Sequence, residues 1–598
     1  MAIQPNSSFP PVPLHECSIF TRLLSNSTND PNFVGNFQAS APVYVDAATE
    51  IALTRSALKT LALEFAWALT KVESVGGKKA PRLKRGDVLL IFSDNSLAYP
   101  VVMFGAFAAG LCCTLVNIAY TAGELAHQYN DSGAKTVLTT PKYFKVVQEM
   151  FNNVLGLKWD DWRSKVVIIP DDFGWVTKDG KSGNPVFNEA SESLLRLDDM
   201  LGIGSISEEE KLNGSETAFM CYSSGTTGKP KGVETTHQNA VAILDMSFYL
   251  AALVPGVDSV LAILPFYHIY GAVFLVLFSV YRGIKCVIMP RFDPEQYCMN
   301  VEKFNITMAM VVPPVLVVLS RHPAVDKYDL SSLKWVYSGA APLGAALQAQ
   351  VYRLLSKRKP GSTIHVIQGY GLTESTGASH LMPLWFDKPK PGSVGVLLGN
   401  LQGRLVDPNH DGEDHLAKDV KEGEPGELWM RGPSIMKGYL NNPTANKNSI
   451  TADGYFKTGD IAIRDEDGFY YIVNRKKELI KYKGFQVAPA ELEGVLLTHP
   501  DIADVGVIGI EDIEEATELP RAYIVHANPS KVSTDENRQA FSKSVAKWLE
   551  NKVARHKYLR GGVVLIDEIP KSASGKILHR HLRDLAKREQ PSALKSKL

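Results

Sequence analysis

Cysteine is scarce and scattered: residues 17, 112, 113, 221, 286 and 298 are the only six in 598, and no C-x-x-C spacing occurs. That excludes a disulfide framework and a cysteine-built zinc site, and it fits a reducing compartment. Net charge is missing as well. With 64 Lys+Arg against 64 Asp+Glu, no whole surface is committed to nucleic acid or to an anionic membrane, so an anionic ligand needs a local site. The longest apolar runs, 101–116 and 269–280, fall short of the roughly 20 residues of a spanning helix and read as buried core. The opening MAIQPNSSFPPVPLHE has no basic stretch and no apolar one, so no secretory signal is expected. No period of 20 to 50 residues recurs, which argues against a solenoid.

What is present is an ordinary globular composition, 45% hydrophobic and 21% charged, long enough for about three or four compact units. From Asp87, short apolar strands (VLLIFS, TLVNIA, TVLTT, VVIIP) alternate with a small-residue apolar helix from about Tyr99 and an amphipathic segment over 121–132. That alternation predicts an α/β fold with a doubly wound parallel sheet. Segments 171–212 and 407–422, rich in Asp, Gly, Ser and Glu, read as loops. After Tyr471 the texture changes: a basic stretch leads into a helix starting near Ala488, and VGVIGI, AYIVHA and VVLIDEI read as short strands of a small α+β unit. The expected division is 1–475 and 476–598. The balance of charge hides a local excess, since residues 552–598 hold 12 basic and 4 acidic side chains.

The strongest local signal is YSSGTTGKPKG at 222–232, between the strand TAFMCY and a helix starting near Thr236. Glycines let backbone N–H groups approach a polyphosphate, hydroxyls add donors, and Lys229 and Lys231 add positive charge. It is not a Walker A loop, because Pro230 follows the lysine where that motif needs Ser or Thr. A second signal is Glu374 in a glycine-rich turn, where a carboxylate can hold Mg²⁺ on phosphates with a hydroxyl such as Thr226. A third is the terminal Ser596, Lys597 and Leu598, the tripeptide read by a peroxisomal import receptor. These point to a peroxisomal enzyme handling phosphates, without a nucleic-acid partner or a transmembrane segment.

YSSGTTGKPKG resembles the signature loop of the adenylate-forming superfamily, which includes acyl-CoA synthetases, nonribosomal peptide adenylation domains and beetle luciferases. QGYGLTES (368–375), GYFKTGD (454–460), the run 474–491 and PKSASGK (570–576) are similar to later motifs of that family, in the same order. The resemblance covers about residues 45–585. LPFYHIYG (264–271), SGAAPLG (338–344) and KELIKYKGFQVAPAELE (477–493) are most similar to the 4-coumarate–CoA ligase branch, with its fungal peroxisomal members. The implied fold is a large N-terminal domain of doubly wound sheets flanked by helices, with a small β-barrel-like subdomain and a smaller mobile α+β C-terminal domain. The implied activity is ATP-dependent ligation of a carboxylic acid to coenzyme A through acyl-AMP, with pyrophosphate and AMP released. The acid would be aryl-alkanoic, cinnamic-type or medium-chain. A stand-alone enzyme loading a carrier protein and a luciferase-like oxygenase share the adenylate step and remain alternatives.

By the same resemblance, Ser223, Ser224, Gly225, Thr226, Thr227, Gly228 and Lys231 cradle the phosphates of ATP. Thr373 donates to the α-phosphate, Gly369 and Tyr370 flank the adenine, and Gln368 and Ala340 border the base. Asp460 and Arg475 bind the ribose, with Asn474 standing where the branch usually has Asp. Lys477 is the hinge. Lys576 bridges the attacking carboxylate and the α-phosphate, while Lys481 and Gln486 act at the active site. Arg291, Lys483 and Gly484 contact CoA. His268, Tyr270 and Phe274 begin the acyl pocket, and Phe274, where plant enzymes of the branch tend to have a small polar residue, argues against a hydroxylated cinnamate.

Overall fold

A computed structural model describes residues 9–25, 30–169, 193–207, 214–223, 230–357, 364–384, 390–410, 412–476, 478–483, 485–512, 517–572 and 575–589. Two large sheets form the body. The first has eight strands, with Ala134–Thr139, Val88–Phe92, Cys112–Leu115 and Thr217–Ser223 parallel at its centre. The second has seven, with His365–Gln368, Trp335–Ser338, Met308–Val311, Ser259–Ala262, Lys285–Ile288 and Pro42–Asp46 parallel in that order. Several of these strands are buried at every position, as strands covered on both faces must be.

Between the sheets lies the helix Ala98–Ala108, whose eleven residues are all buried. It is apolar all round, so it has no face to offer to water. Beside it, Arg55 on the helix Arg55–Lys71 donates to the carbonyls of Val34 (3.1 Å), Val280 (2.8 Å) and Leu23 (3.0 Å). Burial lowers its pKa only to about 10, so the guanidinium stays charged and ties the helix Phe278–Arg282 to the N-terminal segment. The small β subdomain is a four-stranded antiparallel sheet of Gln402–Val406, Gly426–Arg431, Phe456–Arg464 and Tyr470–Arg475.

Beyond it, Ile502–Asp512, Thr517–His526 and Gly562–Leu565 form a three-stranded sheet packed by the helices Pro489–Leu496, Asp535–Glu550 and His579–Glu589. The first two strands are 11 and 10 residues long, longer than the apolar hexamers suggested. Hairpin pairing carries their polar ends along. Arg321 of the body donates to the carbonyl of Ile502 (3.3 Å) across the two units.

One local reading changes. The helix expected near Thr236 is there, but Lys231–Thr236 ahead of it is an unforeseen strand antiparallel to Thr217–Ser223, with Ser223 opposite Lys231. KGVETT has β-branched residues suited to a strand, here paired on both sides, with Thr217–Ser223 and with Gly438–Tyr439. The helix starts only at His237, capped by the Thr236 hydroxyl accepting from the Asn239 N–H (3.0 Å). Of the loop predicted over 171–212, residues 171–192 and 208–212 lie outside the described residues.

Candidate active site

A cavity of about 1370 Å³ opens at the carboxyl ends of the parallel strands, where Leu115, Ser223, Ser338 and Gly369 reach its wall. Binding sites collect at these ends in open α/β sheets. At one side, three distant segments converge on Glu374, which sits in the tight turn Thr373–Ser375. The Tyr439 hydroxyl donates to its Oε1 (2.8 Å), and the Ser223 hydroxyl reaches the same oxygen (3.3 Å). Lys231 Nζ lies 4.7 Å from the centre of the Tyr439 ring. The Met436 N–H donates to the Glu374 carbonyl (2.8 Å), fixing the turn. This corner combines one carboxylate, hydroxyls and an ammonium.

Next to it, Tyr370, Asp460 and Arg475 form a linked group. Asp460 and Arg475 face each other in register on adjacent strands. The buried Asp460 carboxylate takes the Arg475 Nε at 3.1 Å on one oxygen and the Tyr370 hydroxyl at 2.6 Å on the other. Tyr370, Gly369 and Ala340 are on the cavity wall. Ala340 holds a left-handed φ of 66°, a costly conformation for a residue with a Cβ. Gln368 is off that wall. Its side chain is buried, accepting from the Leu343 N–H (2.9 Å) and donating to the Leu343 carbonyl (3.4 Å), so it braces the 339–344 turn.

Lys576 comes to the cavity from the small domain. The Ser572 N–H donates to the Lys576 carbonyl (2.8 Å), and the Lys576 N–H donates to the Ser572 hydroxyl (3.2 Å), tying these two residues together. Burial first, and then the charge of Arg475, lower the lysine's pKa to about 8, against the opposing pull of Glu478, Asp460 and Glu374. It therefore remains mostly charged at neutral pH.

The far side of the cavity is aromatic. His268 caps the turn into Ile269–Gly271, its Nδ1 accepting from the Tyr270 N–H (3.3 Å), and burial lowers its pKa to about 4, so the ring is neutral. Tyr270 and Phe274 meet edge to face at 5.9 Å, with the Tyr270 hydroxyl donating to the Tyr337 carbonyl (3.3 Å). Glycines let these rings lie against backbone: a Cβ at Gly339 would stand 3.0 Å from the Tyr270 ring, and one at Gly377 3.2 Å from that of Phe274. With Met310, Tyr337 and Ala378, this wall carries no charged side chain.

Other expected site residues lie elsewhere. Arg291 is exposed and off the cavity wall. Lys481 is exposed on the hairpin Ile480–Tyr482/Phe485–Val487, opposite Gln486, with its N–H donating to Glu518 (2.7 Å). Lys483 has a left-handed φ of 45°, and its N–H donates to the Thr517 hydroxyl (2.7 Å). Ser224, Gly225, Thr226, Thr227, Gly228, Lys477, Gly484 and residues 596–598 lie outside the described residues, as does the Gln486 side chain. Three cavity residues had no sequence signal of their own: Tyr439, Glu478 and His579.

The profile of the AMP-binding enzyme family matches residues 36–440, and that of the AMP-binding enzyme C-terminal domain matches 491–576. The chain belongs to the AMP-binding enzyme family. As a family member it is an AMP-forming acid–CoA ligase of the 4-coumarate–CoA ligase-like group in the adenylate-forming superfamily. It is 35% identical to the probable 4-coumarate–CoA ligase 1 of Dictyostelium discoideum, covering 84% of this chain and 86% of that one. It is 33% identical to the peroxisomal OPC-8:0-CoA ligase 1 of Arabidopsis thaliana, over 84% and 85%. In fold it is similar to ATP-bound MatB from Rhodopseudomonas palustris, with a TM-score of 0.76, 24% identity, and 96% and 99% of the two chains covered.

Proposed function

We propose that this AMP-binding enzyme ligates an uncharged-tailed monocarboxylic acid, aryl-alkanoic, cinnamic-type or medium-chain, to coenzyme A in the peroxisome. The observation that carries the substrate class is the acyl wall of neutral His268, Tyr270, Phe274, Met310 and Tyr337, joined in one cavity to the Glu374, Arg475 and Lys576 corner. A second carboxylate at the tail would be desolvated there without a partner.

Direct attack of a thiol on a carboxylate fails because oxide is a poor leaving group, so the acid is first joined to AMP. The acid carboxylate attacks the α-phosphorus of ATP, and pyrophosphate leaves. Two anions approach in that step, and the ammonium of Lys576 offsets the charge. Thr373 and the 223–231 loop orient the phosphates, and Asp460 with Arg475 takes the ribose hydroxyls. The CoA thiol then attacks the acyl carbonyl, and AMP leaves. Glu374, held by Tyr439 and Ser223, is the carboxylate for Mg²⁺. One carboxylate, with no cluster of three His, Cys, Asp or Glu among the described residues, suits an ion bound chiefly by nucleotide phosphates and water. Bound there, the ion supplies charge neutralisation on the phosphates.

The small domain, 476–598, presents its Lys576 face for adenylation and its Lys481–Lys483 face, with Gly484, for CoA, which Arg291 of the large domain also contacts. An AMP-release screen over aromatic, fatty and dicarboxylic acids, with and without CoA, tests this reading. Turnover confined to dicarboxylates, or AMP release indifferent to CoA, would overturn it. For location, removal of Ser596–Leu598 leaves turnover intact and abolishes organelle import of the expressed protein; continued import refutes the tail's role.

A further inference from the structure

His579 opens the helix His579–Glu589, three residues after Lys576. Its ring is enclosed: Nε2 meets Glu493 Oε1 at 2.8 Å and Nδ1 faces Glu478 Oε2 at 3.5 Å, and all three side chains are 11% exposed. The two glutamates come from different elements. Glu493 belongs to the helix Pro489–Leu496 and is pinned by the Val507 N–H (2.8 Å). Glu478 sits between Tyr470–Arg475 of the body and the hairpin strand Ile480–Tyr482, where its N–H donates to the Arg475 carbonyl (2.9 Å). Glu478 also faces the charge of Lys576. Imidazole therefore stands between the lysine turn, the body-proximal segment and the small-domain core.

We propose that His579 is a positioning residue for Lys576: as an imidazolium clasped between Glu478 and Glu493, it holds the lysine turn at the cavity. This rests on the reading of Lys576 as the adenylation lysine. Two glutamates facing one ring favour its cationic form: Nε2 meets Glu493 at hydrogen-bond distance, and Nδ1, which makes no hydrogen bond of its own, faces the charge of Glu478 at 3.5 Å. Burial works against the charge, as does Arg583 on the same helix, yet Glu493 and Glu478 prevail and the pKa is raised above 6.5. On the strand packed against this helix, Asp504 is already paired with Lys571 (2.6 Å). The sign follows: the clasp is complete below the ordinary imidazole pKa and is lost as pH rises through the raised one.

The test uses the full chain and two assays, pyrophosphate exchange into ATP and thioester formation from supplied acyl-AMP with CoA, from acid to alkaline pH. His579→Gln lowers exchange about tenfold at neutral pH, the scale of one charge-assisted hydrogen bond, and leaves thioester formation near the parent level. His579→Arg, a permanent cation, restores exchange and removes the imidazole part of its alkaline decline, keeping only the limb of Lys576. Glu478→Gln reproduces the exchange loss without altering the helix. Equal loss in both assays, or an unaltered pH profile in His579→Arg, overturns the clasp. Lys576→Ala with full exchange overturns the underlying assignment, whereas loss in Lys576→Ala beside unchanged exchange in His579→Gln overturns this inference alone.

Discussion

Two basic turns of the small domain carry the same chemistry and end in opposite surroundings. Lys576 is half-buried at the cavity, in a turn closed by Ser572 and backed by His579. Lys481 is exposed on a hairpin whose backbone is anchored to Glu518 and Thr517, away from the cavity. A lysine in water is a solvated point charge, but one drawn into a partly desolvated cleft beside Arg475 holds its proton less firmly. The difference is the one that the proposed division of labour between the two half-reactions requires.

The sharpest way to break this contrast is Lys576→Ala. Pyrophosphate exchange falls at least ~10²-fold, the scale of removing one oriented electrostatic donor, while thioester formation from supplied acyl-AMP persists; retained exchange would dissolve the distinction. A smaller effect is expected from Lys481→Ala, which lowers CoA transfer about tenfold with exchange nearly intact, since a single charged contact is removed. Equal loss in both half-reactions would mean that both turns serve one step. Smallest is the response to pH. Exchange declines a few-fold as the medium passes about pH 8, where Lys576 loses its charge, and the CoA step measured from acyl-AMP lacks that limb.

Much of the architecture was legible because its signals are local. The apolar stretch 88–92 became a parallel strand and the run from Ala98 a buried helix, while the strand expected over TLVNIA lies earlier, at Cys112–Leu115, because the apolar CC pair before it supplies the buried positions. The hydroxyl-rich loop announced itself by composition, although the strand that follows it was hidden in the ordinary-looking KGVETT. Asp460 and Arg475 were each legible within a motif, yet their pairing comes from strand register. Gln368 shows the limit most plainly: a glutamine beside a glycine-rich turn suggests contact with a base, and its amide is instead consumed by both backbone groups of Leu343. Tyr439 and His579 lacked a signal because their partners, Glu374 and Glu493, are 65 and 86 residues away.

The sequence by itself determined the alternation of strands and helices, the change of texture into a small α+β unit, a glycine- and hydroxyl-rich segment after TAFMCY and the family it resembles. The elements rest on periodicities and turn chemistry within a few residues, and the family on short motifs in a fixed order. Only the tertiary structure decided which face of the small domain meets the cavity, which oxygen of Glu374 is held, and that His579 stands between two glutamates. Ser223 and Glu374 meet across 151 residues of chain, and no local preference encodes such a contact. Packing of the two sheets and the docked small domain sets the distance, and burial then turns neighbouring charges into one coupled site.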